Sequence, residues 1–171
     1  MKINRLKDGK NYRCMKILLL LMGKTGHKYL QEGISVYEGR LKHYTSYSRE
    51  EIPDLRWRSS LNRNQIKELE GELILKRVES GDLLVLLDEN GKEMSSVEFS
   101  IKLEKWMLSG VKSIIFVVGG AYGFSNAVYE RADEKLSLSK MTFSHQMVRL
   151  FFAEQLYRAF TILKGEPYHH E

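Results

Sequence analysis

Leu136–Phe160, LSLSKMTFSHQMVRLFFAEQLYRAF, sets a loop of small polar residues directly before one long helix near the end of the chain. From Gln146 onward Met147, Leu150, Phe151, Leu156, Ala159, Phe160 and Leu163 recur mostly at three- and four-residue intervals, the spacing of a buried helical stripe. Polar Arg149, Glu154, Gln155 and Arg158 fill other positions. Ahead of the helix, Ser137, Ser139, Thr142 and Ser144 give a loop able to hydrogen-bond a ligand and to cap the helix. Any small-molecule site is expected to border this junction.

Outward from that stretch, apolar runs alternate with helical patterns. Lys16–Met22 reads as a buried first strand, because a short continuous apolar run bounded by glycine suits a central parallel strand. His27–His43 carries Tyr29, Leu30, Ile34, Tyr37 and Leu41 at helical spacing, and Tyr44–Ile52 reads as a more polar second strand closed by Pro53. Asn62–Ser80 is a charged helix with Ile66, Leu69, Leu73 and Val78 inward. Asp82–Asp88 is a third strand, and Glu89-Asn90-Gly91-Lys92 reads as a turn. Ser95 and Glu98 form a capping box before a helix over Ser96–Leu108. Ser113–Val118 is a fourth strand running into Gly119-Gly120-Ala121-Tyr122-Gly123, followed by a short helix around Ala127–Arg131 and a fifth strand over Lys135–Leu138. The alternation predicts an α/β domain with a mainly parallel sheet and helices on both faces. Ligands of such sheets bind beyond the carboxyl ends of the strands, where the loops at Leu86-Leu87-Asp88, at 119–123 and at 138–144 could enclose one pocket.

With 171 residues, 43% hydrophobic and 29% charged, the chain suits one globular domain. The single Cys14 excludes an intrachain disulfide. The formal net charge is +5, but residues 1–14 hold five basic residues against Asp8 alone, leaving about +1 for the remainder (22 basic, 21 acidic). RNA binding therefore has to rest on a local patch rather than on bulk charge. Residues 1–14 show no periodicity and Met15-Lys16 opens straight into an apolar run, so we expect an N-terminal extension over 1–14 and a single domain over 15–171. The run Ile17–Met22 is too short for a secretory signal or a membrane span. A cytoplasmic protein is expected.

Read from the residues alone, each candidate site has a plain structural alternative. Gly23-Lys24-Thr25 resembles part of a phosphate loop, but Leu18 stands where the first glycine is required, so a strand-to-helix turn is the better reading. Gly119, Gly120 and Gly123 permit close backbone approach to a ligand or simply make a tight turn. His145 and Arg149, four residues apart, share a helix face; an imidazole at a helix start is either a proton acceptor or a packing residue. Arg56-Trp57-Arg58 suits stacking on RNA bases or pinning of a loop. The tail Tyr168-His169-His170 is either a frayed end or a lid over a pocket.

Five blocks then occur in order: LLDENGK (Leu86–Lys92), FVVGGAYG (Phe116–Gly123), LSLSKMTFSHQMVR (Leu136–Arg149), AEQLYRAF (Ala153–Phe160) and PYHH (Pro167–His170). Together they resemble the RlmH family of the SPOUT superfamily, from Met15 to the C-terminus. That resemblance implies a SPOUT-type α/β trefoil knot, a homodimer, and S-adenosylmethionine bound in the knot. It implies N3-methylation of a pseudouridine in helix 69 of 23S rRNA on assembled ribosomes. By matching motif it implies cofactor contacts from Leu87, Gly119, Gly120, Leu138, Ser139, Lys140, Met141, Thr142 and Phe143. The chain departs from the family's usual pattern at Ala121 and Tyr122 in the glycine loop, at Ser144 where a proline is common, and at His170 where a basic residue is frequent.

Methyl transfer from a sulfonium needs alignment and no metal, whereas the acceptor imide nitrogen must lose a proton. On this resemblance we assign His145, His169 or His170 to deprotonation. Arg149 or Arg158 falls to RNA phosphate or developing negative charge. A basic patch for RNA would gather Arg56, Arg58, Arg149 and Arg158 with Tyr168 and other tail residues. A non-catalytic ribosome-binding or assembly factor of the same fold is the rival, and a nicotinamide-dependent oxidoreductase is disfavoured by the missing dinucleotide fingerprint.

Overall fold

The computed structural model describes residues 4–5, 11–12, 15–53, 55 and 60–169. Asn4–Arg5 (β1) and Asn11–Tyr12 (β2) form a small antiparallel ladder. The chain then alternates through Lys16–Met22 (β3), Lys28–Leu41 (α1), Ser46–Ile52 (β4), Arg63–Leu75 (α2), Leu83–Glu93 (β5), Ser96–Leu108 (α3), Ser113–Val118 (β6), Asn126–Arg131 (α4), Glu134–Ser137 (β7) and Met147–Lys164 (α5). Strands β3 to β7 make one parallel sheet in the order β4-β3-β6-β5-β7.

The central strands are apolar throughout because both of their faces are covered. On one face Ile17, Leu19, Val85 and Phe116 pack against Leu41, Phe99, Trp106, Phe152 and Leu156 from α1, α3 and α5. On the other, Leu20, Leu84, Leu86, Ile115 and Val117 meet Ile74 of α2 and Val128 of α4. Phe116 and Phe152 lie 4.6 Å apart between ring centroids at the centre of the first layer. Burial of a large apolar side chain stabilises by roughly 1.5–3 kcal/mol, so these two layers supply most of what holds the sheet to its helices.

Local chemistry fixes the helix ends. Ser95 Oγ accepts from Glu98 N at 3.2 Å while Ser95 N donates to Glu98 Oε2 at 2.7 Å, the expected capping box. Asn62 and Gln65 make a second one on α2. α5 stops at Gly165, whose φ of 61° lets Glu166 N reach back to Thr161 O at 2.9 Å.

Three expectations need correction. α2 ends at Leu75 and not at Ser80, because Arg77 N and Val78 N bond to Ile74 O and Leu75 O and tighten the chain into turns. The segment Glu89-Asn90-Gly91-Lys92 is not a turn: β5 runs on to Glu93, and Leu136 of β7 faces both Leu87 and Lys92 across a bulge. Gly91 serves this bulge by its size, since a Cβ there would stand 2.6 Å from the Leu136 backbone. Arg149 does not lie with the polar residues of α5 but is fully buried.

Candidate active site

Against the β5 bulge and beyond the carboxyl ends of β6 and β7 lies a cavity of about 450 Å³, within the range of small-molecule sites. Three segments wall it: 87–90 from the β5 bulge, 118–124 after β6, and 136–145 after β7, with Val148 of α5. These are the three segments that the sequence suggested, although the first proves to be a bulge within β5. The parallel topology brings them together because the bulge and the loops after β6 and β7 lie at the same end of neighbouring strands.

Each wall is shaped by its own residues. In the β7 loop, Ser137 Oγ donates to Ser139 O at 3.0 Å, and Ser139 Oγ accepts from Met141 N at 2.9 Å. Ser144 Oγ accepts from Met147 N at 3.2 Å and Ser144 O from Val148 N at 3.1 Å, so the serine caps α5 from the pocket side. In the glycine loop Gly123 takes a φ of 76° and its N–H closes the turn onto Gly120 O at 3.2 Å. A Cβ at Gly119 would meet the Phe124 ring at 3.0 Å, and one at Gly120 would stand 2.4 Å from Glu70 Oε2. A side chain at either position would therefore have to displace Phe124 or the Glu70 carboxylate behind the loop.

The third wall is acidic. Asp88 Oδ1 accepts from Asn90 N at 2.8 Å and Oδ2 from the Tyr129 hydroxyl at 2.5 Å. Glu89 Oε2 accepts from Thr142 Oγ1 at 3.4 Å. Burial, and then the Asp88 hydrogen bond and charge, push the Tyr129 phenol up to about 12, which keeps it a donor. No lysine or arginine is among the described residues that line the cavity; its ionisable lining is Asp88, Glu89, Tyr129 and His145. Among the described residues no cluster of histidine, cysteine or carboxylate gathers that could hold a metal ion, and no helix is long and apolar enough to cross a membrane.

Of the residues expected to contact a cofactor, Leu87, Gly119, Gly120, Leu138, Ser139, Met141, Thr142 and Phe143 line the cavity, while Lys140 is exposed and outside the lining. His145 lines it as well. Arg149, expected to act on RNA, instead reaches away from the cavity. Its Nη2 donates to Met22 O at 2.6 Å, its Nη1 to Gly23 O and Thr25 Oγ1 at 3.0 Å, and its Nε to His145 O at 3.1 Å. Thr25 Oγ1 donates in turn to Glu51 Oε1 at 2.8 Å. Gln146 adds two bonds to the same loop, accepting from Gly26 N at 3.0 Å and donating to Lys24 O at 3.1 Å. A buried guanidinium without such partners would be costly, and this one anchors the His145 end of α5 to the carboxyl end of β3.

Arg158, Tyr168 and His169 form a separate group toward the other end of α5. Arg158 chelates Glu154 Oε1 at 2.6 and 3.0 Å, lies over the Tyr168 ring at 4.8 Å, and approaches His169 Nδ1 at 3.4 Å. Tyr44 hydrogen-bonds to Glu166 alongside, and burial followed by that carboxylate raises its phenol pKa well above the ordinary value. Eleven helical residues separate Met147 from Arg158, about 16 Å at 1.5 Å each, so this group does not line the cavity of its own subunit. Arg56, Arg58 and His170 lie outside the described residues.

Sequence reasoning placed Asp88 at a pocket-bounding strand end without giving it a role, missed Tyr129 and Glu70, and misread Arg149. A signal was present for two of them. Arg149 stands three residues before buried Phe152, and Glu70 four from both Ile66 and Ile74, so each belongs to the buried stripe of its helix despite its charge.

Residues 15–169 match the family model described as "Predicted SPOUT methyltransferase". The chain is 60% identical over 156 residues to ribosomal RNA large subunit methyltransferase H of Christiangramia forsetii, covering 91% of this chain and 99% of that protein. It is 59% identical over 157 residues to the protein of the same name from Parabacteroides distasonis, covering 92% and 100%, and 57% identical to that of Flavobacterium johnsoniae with the same coverage.

Proposed function

The chain belongs to the SPOUT methyltransferase family, and from that premise we propose that it methylates N3 of a pseudouridine in helix 69 of 23S ribosomal RNA, using S-adenosylmethionine, on assembled ribosomes in the cytoplasm. The knotted threading of that family and a single domain over 15–171 are part of the proposal. The observation that carries it is the convergence of the three loops on one cavity with His145 at its edge. Relatives named as large-subunit rRNA methyltransferases, alike over nearly their whole length, support the same reading.

The cavity suits the donor. Leu87, Val118, Leu136 and Leu138 offer apolar walls for a flat base, the glycine and serine loops offer backbone groups, and the carboxylates of Asp88 and Glu89 suit a cation. When bound, S-adenosylmethionine supplies a methyl group activated by its sulfonium. The residues of this chain do the rest: they align the acceptor and take its proton. His145 accepts the imide proton, since it is the one histidine in the described lining. The buried Arg149 holds its carbonyl, and Ser144 before it caps the turn that follows through Met147 N.

A homodimer completes the site. Met141, Phe143 and Phe151 are exposed beside the cavity, with the two phenylalanine rings 4.8 Å apart, an apolar patch that a second copy covers. In such a dimer the Arg158–Tyr168–His169 group of one subunit serves the cavity of its partner.

The test combines two measurements. Ribosomes from cells with and without the protein, digested and examined by mass spectrometry, should differ by one methylated pseudouridine. His145→Ala should then slow methyl incorporation by about 10²–10⁴-fold with donor binding intact by calorimetry. A normal rate would remove His145 from the role, and failure to bind donor at all would favour a non-catalytic assembly factor.

A further inference from the structure

The β5 bulge does more than close the pocket. Because Leu136 faces both Leu87 and Lys92, the intervening residues leave the ladder, and Asp88 and Glu89 become cavity wall. Adjacent in sequence, they tie the bulge to two different elements of the wall, Asp88 to Tyr129 of α4 and Glu89 to Thr142 of the β7 loop. Asp88 is half-buried and doubly hydrogen-bonded, hence fixed in position, and no lysine or arginine among the described lining residues neutralises either carboxylate. Lys135 approaches the Tyr129 ring at 5.6 Å but is not among the lining residues.

Methyl transfer changes the charge of what the cavity holds: the donor enters with a positive sulfonium and leaves as a neutral thioether. We propose that Asp88 and Glu89 are the counter-charge to that sulfonium, so that the cavity prefers the charged donor and releases the neutral product. This inference rests on S-adenosylmethionine being the donor. A carboxylate a few ångströms from a cation in a partly desolvated site favours the charged ligand by far more than it would in water, whereas a carboxylate holding ribose hydroxyls would serve donor and product alike.

Calorimetric titration of the full-length protein with S-adenosylmethionine and S-adenosylhomocysteine distinguishes these roles. In Asp88→Asn the ratio of donor to product affinity should fall about tenfold, with product affinity little changed. In the exposed Glu89→Gln, a substitution the fold tolerates, it should fall severalfold, and raising the salt concentration on the unaltered protein should lower the same ratio. Equal weakening of both ligands, or an unchanged ratio in both variants, would overturn the proposal. Unaltered protein that binds neither ligand would sink the donor assignment itself, and this inference with it.

Discussion

Two glycine loops leave neighbouring strands of the sheet, and the second lines the cavity. After β3, Gly23-Lys24-Thr25-Gly26 turns through a glycine with φ of 77°; after β6, the 119–123 loop turns through Gly123 with φ of 76°. The first is filled by the chain itself: Arg149 occupies the carbonyls of Met22 and Gly23, and Gln146 holds Lys24 and Gly26. The second has Phe124 and Glu70 packed behind it and the cavity in front. A glycine turn at a strand end is therefore a binding site only where no side chain of the protein has claimed its polar groups.

The comparison breaks most visibly at Arg149. Arg149→Met leaves the carbonyls of Met22, Gly23 and His145 and the Thr25 hydroxyl without this donor, and should destabilise by several kcal/mol in denaturant unfolding, at about 1–3 kcal/mol for each buried acceptor left unpaired. A neutral substitution would mean that the first loop is not held by Arg149. On the open loop, Gly120→Ala drives a Cβ toward Glu70 and should cost about 1–3 kcal/mol by overpacking, with donor affinity falling roughly tenfold by calorimetry. Unchanged affinity would detach the glycine loop from the donor.

A baseline sharpens both. The α3 cap touches neither loop, so Ser95→Ala should cost about 1 kcal/mol and leave donor binding as it was. Hydrogen bonds from the Ser95 backbone and side chain hold the Glu98 carboxyl below its ordinary value. On acidification the unfolded chain takes up that proton before the folded one, so the cap's contribution is complete above the ordinary carboxylate value of about 4.3. It fades as pH falls through the lower folded value. The stability difference between the unaltered protein and Glu98→Gln, which keeps an acceptor but not the charge, should shrink over that acidic window in pH-dependent unfolding.

Some elements were legible because their cause is local. α3 and β6 begin and end where the sequence placed them, since a capping box and a closed apolar run between polar neighbours act within a few residues. The cavity loops after β6 and β7 were legible from glycine and serine content and from the family resemblance. Asn90-Gly91 misled because the pair is a strong turn signal, whereas here the glycine is required by the Leu136 backbone, more than forty residues on. Arg149 misled because a charge was taken for surface when its helical position lay in the buried stripe.

The sequence by itself determined the order of strands and helices, the family, and the loops that meet a ligand, because periodicity, caps and motif spacing are short-range properties of the chain. Which loop stays open, which carboxylates join the pocket and which arginine is sealed inside were decided by the tertiary structure alone. Those outcomes depend on backbone and side-chain groups 45 to 127 residues away occupying or vacating the same few ångströms, and no local pattern encodes that competition.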